Sequence, residues 1–204
     1  MSGRGANPRQ KSFFDEKAET WDSITVHDLS KVGYIAEKLG IRGDERILDI
    51  GTGTGVMIPF YEKHLSGGSV VAVDYSERMI ERARSKYPER EHPNVSYLVS
   101  DLYDLEFEEE FDLVVCYSCF PHFLDQPLAI EVLSRALRTG GRLAVAHSDS
   151  AKKINGVHLN GGVEIENDFL PPMAELKQMM DERGLRVEFA RDDDDYYICI
   201  AFKR

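Results

Sequence analysis

The sequence predicts one α/β domain built on a doubly wound, mostly parallel β-sheet with helices on both faces. From about residue 30 onward, short runs of β-branched and apolar residues alternate with segments of helical periodicity. Directly after the first apolar run, glycine recurs at alternate positions, Gly51, Gly53 and Gly55. Because glycine destabilises regular structure, this cluster predicts a sharp turn or a backbone that must approach a ligand closely.

The alternation gives five predicted strands and four predicted helices before the last third of the chain. The strands are RILDI, SVVAVDYS, VSYLVSD, FDLVVCYS and RLAVAHS. The helices are SKVGYIAEKLGI, VMIPFYEKHL, SERMIERARSKY and QPLAIEVLSRALRTGG. Pro59 is tolerated in a first helical turn, Ser76 is a predicted N-cap, and two glycines close the fourth helix.

The last third of the chain departs from this rhythm. The segment MAELKQMMDERG predicts a helix that ends at Gly184. The segments LRVEFAR and YYICIAFK flank the acidic run DDDD, which predicts an antiparallel hairpin. No internal repeat or second domain boundary is visible, so residues 1–204 are predicted to form a single domain.

Charge and composition limit the kinds of molecule that this protein is expected to bind. The chain has 204 residues and a net charge of −11, without a basic stripe, so nucleic acid is not an expected partner. No apolar run approaches the roughly 18 residues of a membrane span, and the N-terminus lacks an apolar signal segment. These features predict a cytoplasmic protein that does not associate with membranes. Residues 1–12 are predicted to be a mobile tail, and three cysteines are too few for a disulfide framework.

Two aspartates near the glycine cluster predict a nucleoside-containing ligand. In an open parallel sheet, ligands bind beyond the carboxyl ends of the strands, where strand order reverses. Asp74 ends the second strand, about 20 residues after the glycines, where a carboxylate can accept from both ribose hydroxyls. Asp49 lies two residues before the first glycine, and its charge disfavours a pyrophosphate but suits a cationic amino group. The G-x-G-x-G spacing also makes an NAD-dependent oxidoreductase the less favoured alternative.

Five ordered segments carry a resemblance to a known family. They are ILDIGTGTG, VVAVDYSERMIERAR, VSYLVSDL, FDLVVCYS and LRTGGRLAVAH. In order and spacing they resemble class I S-adenosylmethionine-dependent methyltransferases, and the resemblance covers roughly residues 14–203. It implies a seven-stranded Rossmann-like sheet with one reversed strand near the C-terminus. It also implies S-adenosylmethionine as cofactor, S-adenosylhomocysteine as product and a small molecule as methyl acceptor.

The same resemblance implies roles for residues around the first two strands. Asp49 would help to place the methionine portion of the cofactor, directly or through water. Gly51, Gly53 and Gly55 would let the loop backbone lie against the amino-acid and ribose parts. Asp74 would accept hydrogen bonds from the ribose diol.

For the adenine and the methyl group, the resemblance implies a second set of residues. Tyr75 and Met79 would pack on the adenine ring. Asp101 would accept from the adenine amino group, and the Leu102 backbone would meet a ring nitrogen. The residues that end the fourth strand, under the methyl donor, are Cys116 and Tyr117.

The N-terminal segment FFDEKAETWDS resembles the F-D-x-x-A-x-x-Y/W-D segment of one branch of this family. That branch includes the ubiquinone and menaquinone C-methyltransferases, in which a helix closes over the cofactor and its aromatic residue touches the methionine end. The resemblance implies a lid over residues 13–29, with Trp21 at the aromatic position. The alternative is that Trp21 belongs to the core.

Three histidines are candidates for a catalytic base. Methyl transfer from a sulfonium depends mainly on proximity and orientation, and it needs a base only if the acceptor must lose a proton. His122 follows the fourth strand, His147 ends the fifth, and His158 lies in a polar segment, residues 148–172. Long segments of this kind are often functional, so residues 148–172 are predicted to be a loop that forms the acceptor pocket.

Two further functions stay open at this point. Cys116 and Cys119 form a C-x-x-C pattern near His122 and His147, so the acceptor could be a metal or metalloid. Strand alternation, however, predicts that the two thiols point to different faces, and no residue is assigned as a metal ligand. The chain could also bind the cofactor without transferring a methyl group. The oligomeric state is not fixed by the sequence, and a homodimer is one possibility.

Overall fold

Seven β-strands form one sheet in the computed structural model, which describes residues 8–159 and 168–204. The strand order is β3-β2-β1-β4-β5-β7-β6. The strands are β1 Arg46–Ile50, β2 Ser69–Asp74, β3 Val95–Val99, β4 Phe111–Tyr117, β5 Leu137–His147, β6 Leu185–Asp192 and β7 Tyr197–Lys203. Strands β1 to β5 pair in parallel, and β7 pairs antiparallel with both β5 and β6. The sheet therefore contains one reversed strand, as predicted.

The described part of the chain contains eight α-helices, three of them before β1 and five in the connections between strands. They are α1 Pro8–Lys17, α2 Trp21–Ile24, α3 Leu29–Leu39, α4 Ile58–His64, α5 Glu77–Lys86, α6 Gln126–Ala136, α7 Ala151–Leu159 and α8 Met173–Asp181. Single 3₁₀ turns occupy Ala18–Thr20, Leu102–Asp104 and Phe120–His122. Within residues 8–159 and 168–204, no helix combines the length and the apolar character that crossing a membrane requires.

Two apolar cores cover the two faces of the sheet. Helices α3 and α4 pack on one face, where Ile35 and Tyr61 are fully buried. Helices α6 and α8 pack on the other face, where Leu133 and Met180 are fully buried. A third, small cluster joins α1 to α5 through Phe14. Because both faces are covered, the sheet is doubly wound, as the alternating pattern predicts.

The structure contains the two helix-start features that the sequence predicts at Ser76 and Pro59. The Ser76 side chain accepts from the Met79 backbone N–H at 3.1 Å, which makes it the N-cap of α5. Pro59 lies in the first turn of α4. The hydroxyl of Ser76 also donates to Asp15 at 2.6 Å, so the same cap holds α1 against α5.

Three sequence-based expectations are wrong in the structure. Residues 8–12, assigned to a mobile tail, belong to α1, because Gln10 and Phe14 gain buried tertiary contacts; residues 1–7 lie outside the described chain. Residues 148–172, assigned to a loop, include helix α7, and Asn155 in this helix bonds to the backbone of Leu170. The segment LRTGG belongs to β5 rather than to α6, because Leu137 is extended and pairs with Phe111 in β4.

One buried ion pair links the ends of the sheet opposite the cavity described below. Glu45 and Arg142 form a salt bridge in which their side chains are only 7% and 6% exposed. Arg142 also donates to the Gly40 carbonyl at 2.8 Å, and Glu45 accepts from the Arg42 backbone N–H at 2.8 Å. Burial lowers the pKa of Arg142, although the Glu45 charge opposes this shift. The cost of burying each charge is compensated only while the other charge is present.

We expect Arg142→Met to lower the free energy of unfolding by about 3–5 kcal/mol, because it leaves the Glu45 carboxylate buried and uncompensated. Urea unfolding measures this loss. Arg138→Met is the matched control, because Arg138 lies on the same strand but pairs with Asp112 at a half-exposed site, where a loss below about 1 kcal/mol is expected. The double variant Glu45→Gln/Arg142→Met should recover part of the loss. Equal losses in the two single variants would contradict this view of the pair.

Candidate functional site

A cavity opens at the carboxyl ends of β1, β2 and β4, where strand order reverses. The free space within it, including the part open to solvent, is about 1050 Å³. Its walls come from the glycine loop after β1, the ends of β2 and β4, the turn after β3, and the N-terminal segment from Gln10 to His27. This is the position at which open α/β sheets bind ligands.

Gly53 is the glycine whose missing side chain opens toward the cavity. Its φ of +55° is in the left-handed region, and a Cβ added there would meet nothing nearer than Trp21 Nε1 at 4.0 Å. Its backbone N–H donates to Asp74 Oδ2 at 2.9 Å. The backbone at Gly53 is therefore held by Asp74 and exposed to any molecule in the cavity, as the sequence predicts.

The other two glycines serve packing. At Gly51 an added Cβ would lie 2.5 Å from Cys119 Cβ, and at Gly55 it would lie 3.1 Å from the Tyr87 ring. Both residues also have positive φ values, +66° and +86°. Gly51 still lines the cavity through its backbone, whereas Gly55 does not line it. Packing therefore also requires the absence of a side chain at Gly51 and Gly55, and Gly55 is the one of the three glycines that does not line the cavity.

Asp74 is a buried carboxylate at the centre of the site. It accepts from the backbone N–H groups of Gly53 and Ser76, each at 2.9 Å, one on each oxygen. Burial raises its pKa to about 6, against the lowering effect of these two hydrogen bonds. Each oxygen keeps a further lone pair, so the carboxylate can also accept from a diol in the cavity.

Asp49 is the second buried carboxylate on the cavity wall. Its Oδ1 accepts from the Tyr61 hydroxyl at 2.9 Å. Its Oδ2 is buried without a hydrogen bond of ordinary geometry within residues 8–159 and 168–204, although the nearby Thr52 hydroxyl lowers the pKa of Asp49. Burial raises the pKa of Asp49 to about 6, and the charge of Asp74 adds to the increase. A buried carboxylate oxygen of this kind is suited to an ammonium group of a ligand.

The charges on the wall have a single sign. Three aspartates line the cavity, and no lysine or arginine lines it in the part of the chain that the structure describes. A pyrophosphate would therefore meet carboxylates without a compensating cation, whereas a ligand with cationic groups meets favourable charge. This wall fits S-adenosylmethionine, which carries a sulfonium and an amino group, better than a dinucleotide.

The residues predicted for the adenine ring lie together at the β2–β3 end of the cavity. Tyr75, Met79, Asp101 and Leu102 all line it. Asp101 caps the turn after β3 by accepting from the Tyr103 backbone N–H at 3.0 Å. Their placement is compatible with the roles that the family resemblance implies.

The N-terminal segment covers the cavity. The Phe14 ring packs edge-on against Trp21, with centroids 5.4 Å apart, and both residues line the cavity. Asp22 ties the segment down, because it accepts from Thr54 of the glycine loop at 2.5 Å and from Lys86 at 2.8 Å. Phe14, Trp21 and Asp22 thus form an N-terminal cover that is bonded to the glycine loop itself.

Of the three predicted histidines, His122 lines the cavity. Its Nδ1 lies 2.7 Å from Asp168 Oδ2, and its ring packs against Phe14 at 5.0 Å. Gln10 donates to Asp168 Oδ2 at 2.7 Å and accepts from the Tyr75 hydroxyl at 3.1 Å. His122 therefore belongs to a buried network that joins the N-terminal cover to the adenine end of the cavity.

Two other predicted site residues lie away from the cavity. His147 is 2% exposed at the end of β5, with its ring 6.2 Å from that of Tyr197, and it does not line the cavity. Cys116 is buried in the core between the sheet and α6. The side chain of His158 lies outside the described residues.

The two thiols of the C-x-x-C pattern do not point to different faces. Cys116 and Cys119 interact in one core, because Ser118 adopts a left-handed φ of +58° and breaks the strand alternation. Cys119 donates to the Ile50 carbonyl at 3.0 Å, and burial raises the pKa of its thiol. In residues 8–159 and 168–204, no three His, Cys, Asp or Glu residues are grouped so that they could hold a metal ion.

Sequence reasoning missed Asp168 and His27. Asp168 bonds to His122 across 46 residues of sequence, and His27 Nδ1 lies 2.9 Å from the Tyr117 hydroxyl across 90 residues. Neither residue belongs to a local motif. Only the predicted lid, which ends at residue 29, pointed to the neighbourhood of His27.

Comparisons with known proteins agree with this geometry. Residues 47–141 match the model of a methyltransferase domain family. The ubiquinone/menaquinone biosynthesis C-methyltransferase UbiE of Proteus mirabilis (strain HI4320) is 31% identical over 128 residues, which are 60% of this chain and 50% of that protein. This chain spans about half the length of the curated relatives that it matches.

Solved structures share the fold at low sequence identity. A SAM-dependent methyltransferase from Aquifex aeolicus is 20% identical, with a TM-score of 0.72 that covers 93% of this chain and 98% of that one. The [4+2]-cyclase SpnF is 16% identical, with a TM-score of 0.76 over 99% of both chains. The matched domain of residues 47–141, the seven-stranded fold and the cavity at its switch point are similar to those of the class I S-adenosylmethionine-dependent methyltransferases.

Proposed function

We propose that this chain transfers the methyl group of S-adenosylmethionine to a small-molecule acceptor. The observation that carries the proposal is the pair of buried carboxylates, Asp49 and Asp74, on a wall to which no lysine or arginine of the described chain contributes. A cationic cofactor with a ribose fits both groups at once. A dinucleotide would bring its pyrophosphate beside the same two carboxylates.

Each part of the cofactor has a candidate partner on this wall. Asp49 Oδ2 would accept from the amino group, and Asp74 would accept from the ribose diol. The backbone of the loop around Gly53 would lie against the sugar. Tyr75 and Met79 would enclose the adenine, with Asp101 and Leu102 at its polar edge.

The chain's own residues contribute orientation and exclusion of water. When bound, the cofactor supplies a methyl group on a sulfonium, which a nucleophile takes up without further activation. The carboxylates fix the two ends of the cofactor, and the cover formed by Phe14 and Trp21 shields the space between them. Part of the cavity would remain for an acceptor, since its walls continue beyond these residues to the end of β4.

The other possibilities raised by the sequence are less well supported. A metal or metalloid acceptor would need exposed thiolates, but Cys119 is buried with a raised thiol pKa. Among the predicted histidines whose side chains the structure describes, His122 is the one that lines the cavity, so we retain it as a candidate for contact with bound ligands. Catalytic roles for His147 and His158, a cytoplasmic location and a homodimer stay predictions.

We expect titration calorimetry to detect micromolar binding of S-adenosylmethionine and S-adenosylhomocysteine, and no binding of NAD. Asp74→Ala should weaken both affinities by about 10- to 100-fold, because it removes charge-assisted hydrogen bonds to the ribose and releases Gly53. Asp44→Asn, at an exposed position before β1, is the matched control and should bind like the wild type. Binding of NAD alone would refute the proposal, and an unchanged affinity in Asp74→Ala would refute the ribose assignment.

The affinity for S-adenosylmethionine should fall as the pH is lowered from 7.5 to 5. Asp49 and Asp74 have pKa values of about 6 in the free protein, so both become protonated over this range and lose their attraction for a cationic ligand. A loss of tenfold or more is expected, since one pH unit corresponds to about 1.4 kcal/mol per group. Asp49→Asn should bind more weakly at pH 7.5 and give a flatter profile, whereas Asp44→Asn should keep the wild-type profile. A wild-type affinity independent of pH would contradict the role of these carboxylates.

A further inference from the structure

A second polar group borders the cavity around Tyr117, the residue that the family resemblance places under the methyl donor. His27 Nδ1 lies 2.9 Å from the Tyr117 hydroxyl, which lies 2.9 Å from Ser148 Oγ. His27 and Tyr117 line the cavity. His27 comes from the connection between α2 and α3, Tyr117 ends β4, and Ser148 follows β5. Three separate parts of the sequence thus meet in one short row of hydrogen bonds.

The position of this group follows from the strand order. Strand β4 lies on one side of β1, and β2 and β3 lie on the other side. Tyr117 at the end of β4 and Asp74 at the end of β2 therefore border opposite ends of the cavity. Because the end near Asp74, Tyr75 and Asp101 is taken by the nucleoside in the proposed function, the end near Tyr117 is left for the methyl group and its acceptor.

We propose that His27 is the proton acceptor for methyl transfer, that Tyr117 relays the proton, and that the methyl acceptor is a compound with a reacting hydroxyl group. Ser148 is a positioning residue, because it holds the Tyr117 hydroxyl without lining the cavity. This inference rests on the proposed methyltransferase function and deepens it by assigning the chemical class of the acceptor.

Burial sets the direction of the hydrogen bonds. It lowers the pKa of His27, so the imidazole is neutral at neutral pH and Nδ1 can accept a proton. It raises the pKa of Tyr117 to about 12, so the phenol keeps its proton and donates it to His27. The Ser148 hydroxyl then donates to Tyr117, and a lone pair of the Tyr117 oxygen can accept from a hydroxyl in the cavity.

The transfer balances with these groups alone. The acceptor oxygen forms a bond to the methyl carbon as the carbon–sulfur bond breaks, and that electron pair stays on sulfur. The acceptor proton passes to the Tyr117 oxygen, while the Tyr117 proton passes to His27 Nδ1. The resulting imidazolium can lose its proton to water, because the neighbouring residues Val26 and Asp28 are exposed.

The charges around this group are known from the structure. Asp22 raises the pKa of His27 and Lys86 lowers it, both less than burial does. Asp149 and Asp28 act on Tyr117 and raise its pKa. These acids oppose the ionisation of a hydroxyl group in the cavity, so a proton acceptor at His27 is needed to reverse their effect.

The test uses 4-nitrophenol, whose absorption reports its own ionisation, bound to the full chain saturated with S-adenosylhomocysteine. Burial and the surrounding acids alone raise the pH midpoint of ionisation of a bound phenol. With His27 as proton acceptor, we expect the midpoint to fall by about one pH unit relative to the free probe. His27→Gln should abolish this downward shift, and Ser148→Ala should reduce it. His64→Gln on α4 should keep the full shift.

With S-adenosylmethionine in place of the product, the wild type should convert the probe to its methyl ether. His27→Gln should slow this conversion by about 100-fold, in the range for loss of a general base, with its affinity for S-adenosylhomocysteine within about twofold of the wild type. A probe that neither shifts downward nor is methylated, or one that behaves alike in wild type and His27→Gln, overturns the inference. Failure to bind S-adenosylhomocysteine at all would instead refute the proposed function.

Discussion

The arrangement of the site depends on one carboxylate, that of Asp74. One oxygen holds the glycine loop through Gly53, and the other holds the start of α5 through Ser76, which in turn bonds to Asp15 of α1. The loop, the helix and the N-terminal cover are therefore positioned from a single strand end. This arrangement costs stability in the free protein. Burial raises the pKa of Asp74 in the folded protein from 3.8 to about 6. The protonated carboxyl therefore stabilises the folded state fully below pH 3.8, and this contribution is lost as the pH rises through 6.

Most of the sheet could be predicted because its signals are local. Apolar runs mark the strands, Ser76 caps α5, and the acidic turn marks the hairpin of β6 and β7. The errors occur where tertiary contacts override local propensity. Residues Pro8–Lys17 are helical because the polar residue Gln10 finds buried partners on distant segments, and α7 forms in a segment rich in asparagine and glycine. The glycines of LRTGG continue β5 because its pairing with β4 outweighs their preference for a helix end.

The cofactor side of the cavity was more predictable than the acceptor side. Asp49 lies near the end of β1, Asp74 ends β2 and Asp101 follows β3, so sequence position alone brings them to one edge of the sheet. The packing of Gly51 against Cys119 could not be predicted, because Cys119 is distant in sequence. His27 and Asp168 carry no local signal at all, since each acquires its partner only through the fold. Tyr117 ends a strand and could be predicted, but its partner His27 lies in a connection, and connections follow no shared spacing.

The position of Trp21 has a consequence for how the molecule can be observed. It is the only tryptophan in the chain, it lines the cavity, and it packs on Phe14 within the N-terminal cover. The tryptophan emission of this protein therefore arises from one point on the cavity wall. The wavelength of maximum emission depends on the polarity around Trp21, and it does not respond to changes at the far face of the sheet. Trp21 is thus an intrinsic fluorescent probe at the place where the cavity, the N-terminal cover and the glycine loop meet.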